Sequence, residues 1–379
     1  MPPSVPAKQV MIVAGEASGD RHGAKLVGAL RGRDGSLAFS GIGGPAMRSA
    51  GVTLVVDAAQ LSVVGISEAL FKAPTLLKGL ATAKNHLRDQ RPALLILIDF
   101  PDFNLRLAAE AKRLSIPVLY YISPQIWAWR PGRVHKIGAL VDHVAVILPF
   151  EAAFYDRHAV PATFVGHPLM DDVRPARTSA PEPGTRDFPI VGLLPGSRDG
   201  EIVRHLPVML ASAGLLQKRF ANLRVLVSIA PTVKQANVDA IVARHSIRTA
   251  CEFLAGDVDS IFNRSNLVVA ASGTVTLQAG IAGTPTVIIY KVSPFSYLVG
   301  RLLAQVDRIG LVNLIADKEL MPELIQGQAS PERIAARVTE MLDDPRGLAR
   351  LRTSLLGVRS LLGGPGAAER VAEIALGMI

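Results

Sequence analysis

Two carboxylates stand in a glycine-rich turn near the start of the chain, where residues 10–24 read VMIVAGEASGDRHGA. The apolar run that opens this stretch is typical of a buried parallel strand, and the turn after it leads into a helix. A turn that holds phosphate needs bare amide groups and positive potential, which Glu16 and Asp20 would oppose. We therefore expect this turn, with Ser18 between the carboxylates, to bind a ligand rich in hydroxyl groups. The alternative is a capped helix start, with Ser18 or Asp20 as the cap.

A second pair of carboxylates follows an apolar strand within residues 95–104, LILIDFPDFN. Asp99 and Asp102 are three residues apart across a proline. A carboxylate at the end of a strand can take the proton from an attacking hydroxyl group, as a general base does. The alternative is that one or both carboxylates cap the following helix. Metal binding by the pair has little support, because no His or Cys stands near it.

Two glycine-containing turns in the second half of the chain are suited to an anion. Each follows an apolar run, at residues 190–194 and 267–271, and each leads into a helical segment. The first turn carries an arginine, whose guanidinium matches phosphate oxygens, and the second places amide and hydroxyl donors at a helix start. Surface loops are the alternative for either turn alone. Together they predict a site for a nucleoside diphosphate, formed by Gly196, Ser197, Arg198, Ser272, Gly273, Thr274 and Gln278.

Both tryptophans of the chain fall within residues 120–136, beside three cationic side chains. Tryptophan rings stack on sugar faces and arginine binds phosphate, so Ser123, Trp127 and Arg130 are candidates for contact with a phosphorylated sugar. The alternative is a pair of partly buried core aromatics.

Residues 61–84 combine apolar side chains with lysines at intervals. A helix of this kind can lie on an anionic leaflet, where each cation near the surface adds about 1 kcal/mol of binding free energy. An ordinary packed helix, whose lysines extend to solvent, explains the pattern equally well.

The composition is that of a globular protein: the chain has 379 residues, 49% of them hydrophobic, with 33 Gly and 26 Pro. The single cysteine excludes an intrachain disulfide and disfavours a structural zinc site. A net charge of +9 is spread over both halves, and an aromatic RNA-binding motif is missing, so an anionic membrane or a phosphorylated substrate is favoured over nucleic acid. We expect neither a signal peptide nor a membrane-spanning segment.

Short apolar runs alternate with longer helical segments along the chain, which predicts parallel sheets covered by helices. A Pro-rich polar segment at residues 174–187 interrupts this pattern and predicts a linker. The predicted fold is α/β, with two doubly wound, Rossmann-like domains at 1–173 and 188–344 that face a central cleft. Helices from about 345 to 379 are expected to pack back on the first domain or on a second subunit. The predicted strands are 10–14, 94–98, 117–121, 143–147, 188–194, 224–229, 267–271 and 286–290.

Several motifs occur in an order that is specific to one family. They are GEASGD (15–20), DFPDFN (99–104), SPQIWAWR (123–130), LPFE (148–151), FVGHPLMD (164–171), LLPGSR (193–198), ASGT (271–274), NLIA (313–316) and PELIQ (322–326). Through them the chain resembles the lipid-A-disaccharide synthases, GT-B glycosyltransferases of Gram-negative bacteria, over nearly its whole length.

The resemblance implies a reaction in which UDP-2,3-diacylglucosamine donates its sugar to the 6-hydroxyl of 2,3-diacylglucosamine 1-phosphate (lipid X). The products are the β-1,6-linked disaccharide 1-phosphate and UDP, so the α-linked donor is inverted by one direct displacement. On this basis Asp102 is the general base, with Asp99 as second candidate, and Arg198 holds the diphosphate. The nucleotide is further contacted by Gln278 and Asn313. The acceptor side is lined by Glu16, Ser18, Asp20, Asn104, Ser123, Trp127 and Arg130.

The resemblance also implies that no essential metal is needed. We expect no cofactor, and the sequence leaves the choice between monomer and homodimer open. The resemblance implies a cytoplasmic location with peripheral attachment to the inner membrane, which favours residues 61–84 as a surface helix. The chain departs from the family's pattern at two positions near the expected nucleotide contacts. Gln278 stands where many related GT-B enzymes have Glu, and Val312 stands where a proline is expected. The alternatives are a UDP-N-acetylglucosamine 2-epimerase, another GT-B enzyme, or a non-catalytic protein that binds a nucleotide sugar or lipid.

Overall fold

The computed structural model describes residues 8–61, 66–175, 188–245, 251–293, 297 and 307–379, with only the backbone of 66–73. The chain divides into two compact units. One consists of residues 1–171 with 363–379, and the other of residues 172–362. Most of the predicted linker, residues 176–187, lies outside the described part of the chain.

The first unit contains a parallel sheet of seven strands in the order β3-β2-β1-β4-β5-β6-β7. Its strands are β1 (Gln9–Ala14), β2 (Ala38–Gly43), β3 (Thr53–Asp57), β4 (Leu94–Ile98), β5 (Val118–Tyr121), β6 (His143–Val146) and β7 (Ala162–Phe164). The helices up to the boundary are α1 (Ala17–Arg33), α2 (Pro45–Ser49), α3 (Ala58–Leu61), α4 (Ile66–Gln90), α5 (Pro101–Arg113), α6 (Ile126–Trp129), α7 (Arg133–Leu140), α8 (Pro149–Asp156) and α9 (Leu169–Asp172).

The second unit contains a parallel sheet of six strands in the order β10-β9-β8-β11-β12-β13. Its strands are β8 (Ile190–Leu194), β9 (Arg224–Ile229), β10 (Cys251–Ala255), β11 (Leu267–Ala271), β12 (Thr286–Tyr290) and β13 (Glu323–Ile325). Its helices are α10 (Asp199–Arg219), α11 (Gln235–Val242), α12 (Val258–Arg264), α13 (Thr274–Ala282), α14 (Leu311–Ala316), α15 (Pro331–Asp343) and α16 (Pro345–Leu361), with a 3₁₀ turn at Gln326–Gln328.

The central strands are apolar along their whole length because helices cover both faces of each sheet. Every residue of β4 and β11 is buried. Val10 of β1 lies opposite Leu94 of β4, and Gly192 of β8 lies opposite Val268 of β11. The strand order reverses at these two neighbouring pairs, and ligands of doubly wound sheets bind at such a switch point, beyond the carboxyl ends of the strands.

The last helix, α17 (Ala367–Gly377), packs against α1 in the first unit, where Val371 is fully buried. In contrast, α16 packs against α13 in the second unit, and Arg352 donates a hydrogen bond to the carbonyl of Asn266 at 2.7 Å. Residues 345–362 belong to the second unit, and residues 363–379 belong to the first.

The predicted surface segment, residues 61–84, falls mostly within α4, and its residues 62–73 lie outside the described side chains. Further along the helix, Leu80 and Leu87 pack in the core, whereas the side chain of Leu77 is 57% exposed. None of the helices in the described ranges combines the length and the hydropathy that crossing a bilayer requires.

Candidate active site

The turns after β1 and β4 lie side by side at the switch point of the first sheet. A Cβ on Gly15 would overlap the ring of Phe100, so the close approach of the two turns requires glycine at this position. Glu16 adopts an extended conformation as the N-cap of α1 and has no side-chain capping bond. Glu16 and Ser18 are both exposed, and their contact with a ligand stays a prediction.

Asp20 does not face a ligand. Its carboxylate is buried and accepts hydrogen bonds from the amides of Gly44 at 2.7 Å, Ala46 at 2.9 Å and Met47 at 3.0 Å. These amides belong to the start of α2, where a negative charge is favourable. Asp20 therefore holds α2 against α1, which corrects its predicted place in the acceptor site.

The turn after β4 has a strained backbone that buried side chains hold in place. Asp99 and Phe100 are in the left-handed region, with φ of 47° and 51°. The backbone carbonyl of Asp99 accepts hydrogen bonds from the side-chain amide of Asn104 at 2.6 Å and from the hydroxyl of Tyr120 at 2.8 Å. Asn104 is fully buried, so it positions this turn and does not line the acceptor site as predicted.

The two carboxylates of this turn have different surroundings. Asp99 is half-buried at the end of β4, and burial raises the pKa of its carboxyl above the ordinary value, as does the neighbouring charge of Glu16. The side chain of Asp102 is 75% exposed, and Arg133 donates to it at 2.9 Å. Partial burial and a raised pKa are properties of a general base, and among these two carboxylates Asp99 has them.

The tryptophan segment divides between the interior and the surface. Ser123 is buried, and the indole of half-buried Trp127 donates to Oε1 of Glu151 at 2.9 Å. Trp129 and Arg130 are exposed. Burial therefore removes Ser123 from the predicted acceptor surface. Trp127 and Trp129 are two residues apart in the helix α6 and so lie about 200° apart around its axis, which turns Trp127 toward the interior. Trp129 is the accessible ring of this segment.

Glu151 is a buried carboxyl at the start of α8. Besides the indole, it accepts hydrogen bonds from the amides of Leu148 at 3.0 Å and Ile147 at 3.3 Å. Burial raises the pKa of Glu151 to about 7, although these three hydrogen bonds oppose the shift. Glu151 thus fixes both the start of α8 and the orientation of Trp127.

Replacing Glu151 with Gln is expected to flatten the pH dependence of stability. The folded state binds the Glu151 proton up to about pH 7, whereas the unfolded chain releases it near its ordinary value of 4.5. The resulting stabilisation is fully present below pH 4.5 and is lost as the pH rises through 7, by about 3 kcal/mol at roughly 1.4 kcal/mol per pKa unit. Urea unfolding of wild type and Glu151→Gln between these pH values measures the difference. His167 titrates in the same range but is common to both proteins, so parallel curves would contradict the assignment.

In the second unit, the turn after β8 exposes an arginine. Arg198 is the N-cap of α10, its side chain is 64% exposed, and it lies 3.4 Å from Glu201. The other oxygen of Glu201 accepts the amide of Ser197 at 2.8 Å. Gly196, with φ of 123°, makes the turn possible. A carboxylate thus already occupies one amide of this turn, which shows that the turn accepts negative charge.

The turn after β11 presents an open helix start. Gly273 is the N-cap of α13, and a Cβ on it would meet no atom within 4 Å. Gly273 and Thr274 are exposed, and Ser272 and Gln278 are half-buried. Because β8 and β11 are neighbours in the sheet, this helix start and Arg198 lie at the same switch point. The amides of the first turn of α13 and the arginine are suited to a diphosphate.

Asn313 is fully buried and makes only internal contacts among the described residues. Its amide nitrogen donates to the carbonyl of Met321 and to Glu323, each at 2.7 Å, and its oxygen accepts the amides of Leu320 and Met321 at 2.8 and 2.9 Å. Asn313 therefore connects α14 to the loop before β13, and its predicted contact with the nucleotide is corrected.

Sequence reasoning missed several residues that shape the two sites. Glu151 and Glu201 each occupy the third position of a helix, which is the capping-box position and a signal that was available. His205 left no such signal: its Nδ1 donates to the carbonyl of Pro195 at 3.0 Å and its Nε2 accepts the amide of Lys291 at 3.1 Å. Burial lowers the pKa of His205, and its Nε2 must be unprotonated to accept the amide of Lys291, so the neutral ring joins the ends of β8 and β12. Within the described residues, no group of three or more His, Cys, Asp or Glu side chains could hold a metal ion.

Solved structures share this fold across nearly the whole chain. The glycotransferase of kitacinnamycin superposes with a TM-score of 0.64 at 15% identity and covers 99% of each chain. MurG of Acinetobacter baumannii gives 0.61 at 15% identity, covering 98% of this chain and 99% of that one. A UDP-GlcNAc 2-epimerase of Neisseria meningitidis gives 0.62 at 10% identity, covering 97% and 100%. Likeness at this identity shows the fold alone, and it confirms the predicted GT-B fold class.

Sequence relatives are far more similar. The lipid-A-disaccharide synthase of Geobacter metallireducens is 46% identical over 385 residues, which cover 99% of this chain and 98% of the relative. That of Syntrophus aciditrophicus is 46% identical and covers 98% of each, and that of Myxococcus xanthus is 41% identical and covers 98% and 97%. The family described as lipid-A-disaccharide synthetase matches residues 10–353. The chain belongs to the lipid-A-disaccharide synthase family.

Proposed function

We propose that this chain transfers the sugar of UDP-2,3-diacylglucosamine to the 6-hydroxyl of lipid X, with inversion, and releases UDP. The main support for the proposal is that the side chains at the two switch points differ in charge. One presents a desolvated carboxylate and the other a cation with open helix amides. Displacement at an anomeric carbon needs both: a base for the attacking hydroxyl and positive charge for the departing diphosphate. The epimerase alternative has no need of a base for a second sugar.

Asp99 is the proposed base, with Glu16 beside it. The turn that carries Asp99 is held by Asn104 and Tyr120, so the carboxylate does not have to be reorganised during the reaction. Glu16 and Ser18 contribute polar groups to the acceptor site from the neighbouring turn, and Trp129 and Arg130 are exposed on α6 and just after it. Asp102, which the sequence favoured as the base, becomes the second candidate.

Arg198 is the proposed contact for the diphosphate, together with the amides and hydroxyl groups of residues 272–274. Its guanidinium is exposed, and the pairing with Glu201 at 3.4 Å is long for an ion pair. A phosphate group offers more charge than one carboxylate, so the bound diphosphate replaces Glu201 as the partner of Arg198. Gln278 lies one turn into α13 and is the proposed contact for the ribose.

We further propose peripheral attachment to the cytoplasmic face of the inner membrane. Both substrates carry acyl chains, and the net charge of +9 favours an anionic leaflet. The exposed Leu77 of α4 lies within the segment that combines apolar residues with lysines. The state of association is proposed as monomer or homodimer.

The test is turnover with defined substrates. Purified protein is mixed with UDP-2,3-diacylglucosamine and lipid X in detergent micelles, and mass spectrometry follows the disaccharide 1-phosphate and UDP. We expect both products in equal amounts. Epimerised sugar nucleotide, or UDP binding without a disaccharide, would contradict the proposal.

A further inference from the structure

Residues 123–130 carry an exposed pair, Trp129 and Arg130, on a segment that is too short to hold its own position. Helix α6 is a single turn of four residues. A helix of fewer than about 12 residues is only marginally stable in isolation, so α6 depends on its neighbours. The buried side chains of Ile126 and Ala128 keep it on the protein, but apolar contacts are not directional and do not fix its rotation.

Helix α8 supplies directional contacts to this segment. The indole Nε1 of Trp127 donates to Oε1 of Glu151 at 2.9 Å, and the indole ring meets Phe150 edge to face with the centroids 4.8 Å apart. One turn further along α8, the hydroxyl of the fully buried Tyr155 lies next to Ser123. Two successive turns of α8 therefore anchor the start and the middle of the segment.

The Glu151 carboxylate has more acceptor capacity than the start of α8 needs. Its Oε2 accepts the amides of Leu148 at 3.0 Å and Ile147 at 3.3 Å, which satisfies the helix start. Its Oε1 is left for the indole of Trp127. Only an ionised carboxyl offers acceptors alone on both oxygens, so the contact with α6 explains the residue type as much as the helix cap does.

Both ends of the segment are joined to the turn of the proposed base. Before the segment, the carbonyl of Ile122 accepts the backbone amide of Asp99 at 3.3 Å. After it, Arg133 donates to Asp102 at 2.9 Å. The exposed indole and guanidinium at the end of α6 therefore lie on the acceptor side of the first unit. An indole suits the apolar face of a sugar, and a guanidinium suits a phosphate.

We infer that Glu151 is a positioning residue for the acceptor and acts through Trp127. Its carboxylate holds the helical turn that places Trp129 and Arg130 against the sugar and the phosphate of lipid X. The inference rests on the proposed function. Because the proposed contacts of the donor diphosphate lie in the second unit, Glu151 acts on the affinity for the acceptor and not on that for the donor.

Two variants break the contact from opposite sides, and both are assayed at about pH 8, where Glu151 is ionised because burial raises its pKa only to about 7. Trp127→Phe keeps an aromatic ring against Phe150 but removes the indole N–H. Glu151→Gln keeps the size of the side chain but turns an NH₂ group toward one of its three donors. Each is expected to raise KM for lipid X about tenfold, the scale of one hydrogen bond to a charged group, while KM for the UDP donor stays within about twofold of wild type.

The double variant distinguishes one shared contact from two independent defects. Without the indole N–H, the new amide can direct its oxygen to the backbone amides of α8, so the double variant should bind lipid X no more weakly than either single variant. Losses that multiply would overturn the inference. Trp127→Phe leaves Glu151 and the helix cap intact, so it tests the inference even if Glu151→Gln does not fold.

Tryptophan fluorescence reports the orientation directly, since the chain has two tryptophans. In a Trp129→Phe background Trp127 is the only emitter, and adding Glu151→Gln should shift its emission toward that of a solvent-exposed indole. A shifted emission with an unchanged KM for lipid X in Glu151→Gln alone would overturn the inference, because the orientation of Trp127 would then have no effect on the acceptor.

The matched control is Glu110→Gln, the same change at a buried carboxyl of the first unit that pairs with Arg88 and Arg113. It should lower stability but leave both the emission of Trp127 and KM for lipid X unchanged. An equal rise of KM in this control would show a general loosening of the unit and overturn the inference.

Calorimetric binding of lipid X without donor separates the inference from the proposed function. A Kd that rises about tenfold in Trp127→Phe and Glu151→Gln, with no disaccharide formed by wild type, keeps the positioning role and rejects the transfer activity. Disaccharide formed with a wild-type KM for lipid X in both variants keeps the transfer activity and overturns the positioning role.

Discussion

Replacing Asp99 with Asn should lower kcat for disaccharide formation by about 10²- to 10⁴-fold, the usual contribution of a general base. Asn keeps the shape of the side chain and tolerates the left-handed backbone at this position, where φ is 47°, so the variant is expected to fold. KM for lipid X and the affinity for UDP should change little, because the lost interaction exists mainly in the transition state.

Asp102→Asn is the matched control, since it makes the same chemical change three residues away. It removes the negative charge that pairs with Arg133, a pair worth about 1 kcal/mol or less because it is so exposed, and should leave kcat within a few-fold of wild type. A large loss in Asp102→Asn with activity kept in Asp99→Asn would instead make Asp102 the base.

The pH profile provides an independent check on Asp99. A base must be ionised, so kcat/KM should fall as the pH decreases through the raised pKa of Asp99. Glu16→Gln removes the nearby negative charge, which lowers the pKa of Asp99 and should move this acidic limb to lower pH. A limb that Glu16→Gln does not move would argue against Asp99 as the titrating group.

Replacing Arg198 with Gln is expected to cost about 10²- to 10³-fold in kcat, the typical loss when one donor to a developing negative charge is removed. The affinity for UDP should also fall, because the diphosphate of the product makes the same contact. Single-turnover rates and calorimetric UDP binding separate the two effects.

The control for Arg198 is Arg219→Gln at the other end of the same 21-residue helix, about 30 Å away along its axis. It makes the same change of charge, so any general effect of net charge on substrate binding appears in both variants. Equal losses in Arg198→Gln and Arg219→Gln would show that Arg198 acts only through the overall field of the protein.

Apart from β2, the strands that lie in the middle of a sheet were predictable from the sequence. All eight predicted strands are present, because a strand covered by helices on both faces must be apolar throughout. The strands that were missed are β2, β3, β7, β10 and β13. Four of these, β3, β7, β10 and β13, lie at a sheet edge, and β10 is also mostly exposed, so they lack a continuous apolar signal. In β2, Gly41 and Gly43 break the pattern.

The candidate site was predictable as a set of turns, since the carboxylates and glycines follow apolar runs directly. The sequence did not allow us to predict which of these side chains reach a ligand. Asp20, Asn104 and Asn313 have the polar groups of a binding site, but each is buried and bonded to backbone. In a single sequence, a polar residue that holds a turn and one that binds a ligand look the same.

The sequence alone determined the parts that depend on local order: alternating strands and helices, the division into two halves, and the chemistry of each turn. Only the tertiary structure decided which residues serve the fold and which remain accessible. Asp20 meets amides 24 to 27 positions away, Trp127 meets Glu151 24 positions away, and His205 meets Lys291 86 positions away. The same is true of the choice between Asp99 and Asp102, because burial and the charge of Glu16 act on Asp99 only once β1 and β4 are neighbours. Such partners are set by the packing of whole elements, and residue spacing along the chain does not encode them.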